Sequence, residues 1–201
     1  MSALDLLMQT PALLYTTVGL FTLAVGSFLN VVIHRLPRMM EQAWRRECAE
    51  LAGEEAPAAE PLSLALPGSR CPHCGHALKA WENVPLLSYI LLRGRCSACA
   101  MPIGVRYPLV EAGTALLSIL VVWHFGVSWE AAAALLLTWG LIALAFIDID
   151  TQLLPDSITL PLIWLGLLLS LDGGLTNPRD AILGAVLGYL FLWTVYQLFK
   201  L

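Results

Sequence analysis

Charge is scarce in this sequence. Lys, Arg, Asp and Glu make up 13% of its 201 residues, against 58% for the hydrophobic types. Soluble domains carry about a quarter of charged residues. An ordinary water-soluble globule is therefore excluded, and the mean hydropathy of +0.74 reads as an integral membrane protein. The formal net charge is only -4, and there is no basic stripe or nucleic-acid motif, which removes nucleic acid as a partner. No Lys or Arg precedes Arg35, and Asp5 is acidic. A cleavable signal peptide needs a basic start, so the first apolar run should stay as an anchor. A glycine-rich nucleotide loop is also missing. So is the pattern of paired inverted repeats, which leaves a proton-coupled transporter built on Glu111 and the aspartates as a weak reading.

What is present is apolar sequence in long runs. Judged against the roughly 20 residues a spanning helix needs, the candidates are Pro11 to Ile33, Tyr107 to Phe125, Trp129 to Ile147, Ile158 to Leu171 and Ala181 to Phe199. The fourth is short unless it extends back through Leu153. The expected fold is all-α and polytopic. It divides into a first transmembrane helix (1–33), a polar loop (34–106) and a set of further helices (107–201). Nine of the eleven basic residues lie between the first two runs: Arg35, Arg38, Arg45, Arg46, Arg70, Lys79, Arg93, Arg95 and Arg106. Basic residues near span ends mark the cytoplasmic side. The loop should be cytoplasmic and the N-terminus outside.

Within the first run Gly19, Gly26 and Ser27 would let another helix come close, and Asn30 can hydrogen-bond across a helix interface. His34 and Arg35 mark the water boundary, and Pro37 is the expected stop. Met39 to Gly53 should form a separate short amphipathic helix lying on lipid. The Pro- and Ala-rich stretch that follows reads as a linker. Farther on, Trp123 and Trp129 suit the interfacial aromatic belt, with Glu130 in the headgroups. Gly184 and Gly188 carry a GxxxG spacing, a weak sign of close helix contact.

Two C-x-x-C pairs, Cys71/Cys74 and Cys96/Cys99, stand 21 residues apart. Four thiolates so spaced suit one tetrahedral zinc, with no open position for substrate. The alternatives are a redox pair, which a cytoplasmic loop disfavours, or no metal. His73 and His76 are near enough to compete as ligands, and Cys48 is left as a free thiol. Between the pairs, WENVPLLSYILLRGR should hold a short helix.

Acidic residues inside apolar sequence are site candidates. Glu111 lies about one turn into its span, where it either pairs with Arg106 or serves a site. The other group is FIDIDTQLLPD, with Asp148, Asp150 and Asp156 within nine residues at the end of an apolar run. Two carboxylates held close can share a proton, one activating water and the other polarising a carbonyl. On a continuing helix, however, Asp148 and Asp150 point about 200° apart, and Asp156 after Pro155 reads as a helix cap. Solvated interfacial charges and caps are the bland alternative for all three.

GSFLNVVIHRLP, the two C-x-x-C pairs, ENVPLLSY, RYPLVE and FIDIDTQLLPD, in this order, resemble the type IV prepilin peptidases, also called prepilin leader peptidase/N-methyltransferases. The resemblance runs from about Gly26 to Leu201. It implies a multi-pass aspartic peptidase of the bacterial inner membrane, with its N-terminus periplasmic and its zinc loop cytoplasmic. Such an enzyme removes the leader from prepilins or pseudopilins of type IV pili and type II secretion. Many members also N-methylate the new N-terminus with S-adenosylmethionine. Carried over by motif, the first catalytic aspartate is Asp148. Asp150, Asp156 and Glu111 are possible supports, and Cys71, Cys74, Cys96 and Cys99 hold structural zinc. The G-x-G-D motif with the family's second aspartate does not occur in these residues, so the chain reads as an N-terminal part that should not cleave prepilins alone. The competing expectation is a non-catalytic membrane scaffold whose zinc knuckle recruits a secretion-system partner. Membrane lipid is a partner in either case, and the sequence leaves the oligomeric state and the S-adenosylmethionine site unknown.

Overall fold

A computed structural model describes residues 9–55, 62–171, 173 and 176–200. Apart from a lobe carrying four of the five cysteines and the short connections, they are helical. Helix α1 spans Pro11–Ala52, α2 Leu87–Leu91, α3 Arg106–Phe125, α4 Trp129–Thr151, α5 Asp156–Leu171 and α6 Pro178–Lys200, with a 3₁₀ turn at Ala80–Asn83. Four of them, α1, α3, α4 and α6, are long and apolar enough to cross a membrane, which makes a multi-pass membrane protein. At 16 residues α5 reaches about 24 Å, short of a hydrocarbon core of about 30 Å.

Helix α1 departs from expectation. Pro37 does not stop it: the helix runs 42 residues, about 63 Å, and the proposed amphipathic helix from Met39 is its last third. Proline costs one backbone hydrogen bond and crowds the preceding turn. Here that turn lies in the core, with Ile33 and Pro37 both buried, and packing holds the helix through the defect. The helix begins with Pro11 in its first turn, where the missing N–H is harmless. It ends at Gly53 in the left-handed region (φ 70°), with the Gly53 N–H donating to Glu50 and Glu54 to Ala49. Part of the linker, residues 56–61, lies outside the described residues. Its far end is anchored, because Arg35 donates to the carbonyl of Ser63 at 2.9 Å.

The bundle is built on the α1–α3 crossing. A methyl on Gly26 would sit 2.7 Å from the Glu111 Cα, so only glycine permits this backbone approach. Asn30 bonds across the same interface as expected, its Nδ2 donating to the Tyr107 carbonyl at 3.1 Å. Deeper in, the buried hydroxyls of Thr114 and Ser118 donate to their own helix, and Trp139 Nε1 on α4 donates to Ser118 Oγ at 2.9 Å. Leu29, Val32, Ile33, Val110, Ala143 and Ile147 form one apolar cluster. That cluster lies directly beneath the acidic end of α4. Ser128 caps the other end, accepting from the Ala131 N–H. Trp123 and Trp129 are exposed, as an interfacial belt requires.

Helix α6 packs on α5 and has no buried residue. The GxxxG spacing is not used in a close contact, since a methyl on Gly184 or Gly188 would meet no atom within 4 Å among the described residues.

Candidate metal lobe, cavity and acidic edge

Each C-x-x-C pair forms a knuckle, and the two share one design. In the first, the Cys71 N–H donates to the His76 carbonyl and the Gly75 N–H to Cys71, while Arg70 pairs with Ala77. In the second, Cys96 donates to Met101 and Ala100 to Cys96, while Arg95 pairs with Pro102. Gly75 and Ala100 occupy the same left-handed position, at φ 71° and 58°. The knuckles bring Sγ of Cys71 to 3.8 Å from that of Cys99, and Cys74 to 4.0 Å from Cys96, with all four sulfurs within 4.8 Å. A tetrahedron of sulfurs about 2.3 Å from one ion has edges of about 3.8 Å. The four thiols could therefore hold a single metal ion, and the separations are far too long for disulfides.

The electrostatics agree with that use. Backbone N–H groups of Cys74 and His73 pull the Cys71 thiol down to about 6. Cys99 has the Met101 N–H on its side, yet burial and the neighbouring thiols Cys74, Cys96 and Cys71 push it up to about 12. The knuckle amides favour thiolate, and four thiolates repel one another unless a cation lies between them. The histidines stay out of the set. His76 Nε2 lies 3.3 Å from Glu82 Oε2, and His73 is exposed. Cys48 is an exposed free thiol on α1.

Glu82, between the knuckles, was not marked by the sequence. It is buried to 6% exposure and accepts from the Lys79 N–H at 2.7 Å, closing the 3₁₀ turn. Hydrogen bonds from Ser97, the Lys79 amide and His76 hold its carboxyl below the ordinary glutamate range. An acid in the otherwise apolar ENVPLLSY stretch was the available signal.

Glu111 does not pair with Arg106. Its Oε2 accepts the Leu86 N–H at 2.9 Å, tying α3 to the lobe. Leu86 stands at φ 55°, ψ -45°, with the Leu87 N–H donating to Pro85 across it, a strained γ-turn. Such a turn persists where surroundings over-determine it, and the Glu111 bond is one such constraint. Between α1, the lobe and α3 lies a cavity of 390 Å³. Glu82 and Glu111 both line it.

Arg106 goes instead to α4. Its Nη1 donates to both Asp150 oxygens at 2.7 Å, its Nη2 to the Phe146 carbonyl at 3.3 Å, and its guanidinium lies 4.8 Å over the Phe146 ring. The first residue of α3 thus clamps the last turns of α4. Asp148 is half-buried in the same turn. Its carbonyl takes the backbone and side-chain N–H groups of Gln152, the left-handed residue that ends α4. Asp156 is exposed and opens α5, where a carboxylate suits the helix dipole. Three aspartates close in sequence therefore have three different surroundings.

A helical bundle, a four-thiol metal lobe and an acidic helix end standing over a packed core define a polytopic membrane protein with a site at one end of the bundle. The family model described as "Bacterial Peptidase A24 N-terminal domain" matches residues 20–125, and that of the "Type IV leader peptidase family" matches 135–201. Prepilin leader peptidase/N-methyltransferases from Stutzerimonas stutzeri and Pseudomonas aeruginosa are 55% and 54% identical to it, each over 100% of this chain and 70% of their own length. One from Aeromonas hydrophila is 52% identical over 98% of the chain and 69% of its own. The chain belongs to the prepilin leader peptidase/N-methyltransferase family. No solved structure matches it.

Proposed function

We propose that this chain is a membrane aspartic peptidase that removes leaders from type IV prepilins and pseudopilins, with N-methyltransferase activity toward the new N-terminus. The observation that carries the reading is identity above 50% along the whole chain to relatives named for both activities. Asp148 is the catalytic carboxylate in this reading. Asp150 is occupied by Arg106, whereas Asp148 is half-buried in the same helical turn with no ion-pair partner among the described residues. A protonated second carboxylate would polarise the scissile carbonyl. Asp150 and Asp156 are the neighbouring acids of the motif, and their surroundings favour structural support over that role.

Zinc is the ion that four cysteinate sulfurs at these distances suit best, in a closed structural site. The basic residues of the lobe support a cytoplasmic placement, an N-terminus on the periplasmic side and residence in the bacterial inner membrane. The methyl donor would be S-adenosylmethionine. The test is leader removal from a purified prepilin in lipid nanodiscs. Asp148→Asn should lower the rate by at least about a hundredfold; processing at the unaltered rate would point instead to the scaffold reading.

A further inference from the structure

The 390 Å³ cavity between α1, the metal lobe and the start of α3 is bordered by Cys71 and Cys96 on its lobe side and lies apart from the acidic edge. Its size is that of a site for one small organic molecule, and it lies between two structural bodies, where such sites concentrate. Ser27 and Asn30 on α1, Arg70 and Tyr89 in the lobe, and Tyr107 and Glu111 on α3 all line it. We propose that this cavity binds the methyl donor, S-adenosylmethionine. The proposal rests on the N-methyltransferase half of the function above.

Three features of the cavity carry it. The first is Glu111. It is 8% exposed, and among the described residues no Lys, Arg or His forms an ion pair with it. A carboxylate at that depth calls for a cation, and the donor brings two, a sulfonium and an α-ammonium. The second is Arg70, which lines the cavity from the lobe. With Glu111 and Glu82 on one hand and Arg70 and Arg35 on the other, the lining carries both signs and suits a ligand that does so too, and the donor's amino-acid end has a carboxylate for Arg70. The third is the pair of tyrosines in the lining, the aromatic surface available to a purine, beside Ser27 and the Asn30 side-chain carbonyl, which are able to hydrogen-bond a ribose. When bound, the donor supplies an electrophilic methyl group to an amine nitrogen and departs as a neutral thioether. The residues of this chain bind and orient it. Glu111 also holds the Leu86 amide, so the group that faces the donor's charge keeps the lobe seated on the helices.

The test is equilibrium binding of tritiated S-adenosylmethionine to the purified, zinc-loaded chain in nanodiscs, with retained zinc as the check on folding. Glu111→Gln keeps an acceptor for the Leu86 amide and removes only the charge. It should weaken binding by at least about tenfold. Arg70→Ala should weaken it by about fivefold, and Tyr189→Ala on the far helix α6 should leave it unchanged. Ultraviolet crosslinking of the methyl-labelled donor gives a second reading that needs no substitution. Label should fall on peptides from residues 26–35, 69–92 and 103–111. Unaltered affinity in Glu111→Gln, absence of binding to the unsubstituted chain, or label confined to α5 and α6 overturns the assignment. Leader removal in the same nanodiscs reads the parent function separately. Cleavage without donor binding in the cavity sinks this site alone, while loss of both sinks the function itself.

Discussion

Arg106 shows how one side chain decides the use of several acids. With both carboxylate oxygens of Asp150 on one guanidinium nitrogen and the other on the Phe146 carbonyl, it fixes the turn from which Asp148 projects. The pair is over a third exposed, so its direct worth to stability is small, at most about 1 kcal/mol. Its worth to positioning is larger. Arg106→Met should lower kcat for leader removal by about tenfold with KM nearly unchanged, and Arg106→Lys should not rescue it, because an ammonium lacks the planar fork. An equal loss in KM would place Arg106 in substrate binding. Glu82 makes a different residue-scale prediction. Its folded carboxyl lies below the ordinary value of 4.5, so the stability it contributes is complete above that value. That stability drains away as pH falls through the lower folded value. Fluorescence of the adjacent Trp81, followed through an acid titration, should show a lobe transition below pH 4.5 that Glu82→Gln lacks. Identical acid transitions in both proteins would remove Glu82 as the cause.

At the scale of elements, the α1–α3 crossing sets the geometry of everything above it. Gly26 was legible as a small residue, but small residues in apolar helices are common. Only the 2.7 Å approach to the Glu111 backbone singles this one out. Gly26→Ala must push apart two backbones that have no flexible atom to yield, at a cost of about 1–3 kcal/mol. Gly113→Ala, which meets open space, should cost nothing. Thermal aggregation of the detergent-solubilised variants compares them, and equal midpoints would contradict the crossing. Proline misled in the opposite direction. Pro37 is a sound stop signal locally, yet burial on both sides of it carries α1 onward, because packing along a 42-residue helix outweighs one missing hydrogen bond. Gly184 and Gly188 bear the GxxxG spacing without a partner that uses it, since spacing alone does not select which helix packs there.

Across the whole molecule, two bodies with different sources of stability share one boundary. The helices hold through apolar packing and internal hydrogen bonds, and the lobe has little core of its own beyond the buried Cys71 and Cys96. Removing the metal should therefore unfold the lobe and leave the bundle standing. Chelation is expected to abolish donor binding while lowering far-ultraviolet helical ellipticity by no more than about a tenth, since the lobe's helices are only single turns. A collapse of the whole helical signal would show that the bundle leans on the lobe.

The membrane class, the apolar runs that become helices, the four-cysteine cluster and the acidic edge were legible in the order of residues. Each depends on local composition or spacing: hydropathy over a span, two C-x-x-C pairs, carboxylates at the end of an apolar run. What only tertiary structure decided is partnership. Arg106 takes Asp150 and leaves Glu111 to the Leu86 amide. Glu82 becomes a buried staple, and a cavity opens between α1, the lobe and α3. The Arg106–Asp150 bond alone joins residues 44 positions apart, and the cavity gathers residues from Ser27 to Glu111. No local rule reaches that far, because the choice among competing partners is made by how closely the backbones can approach, and here Gly26 sets that distance.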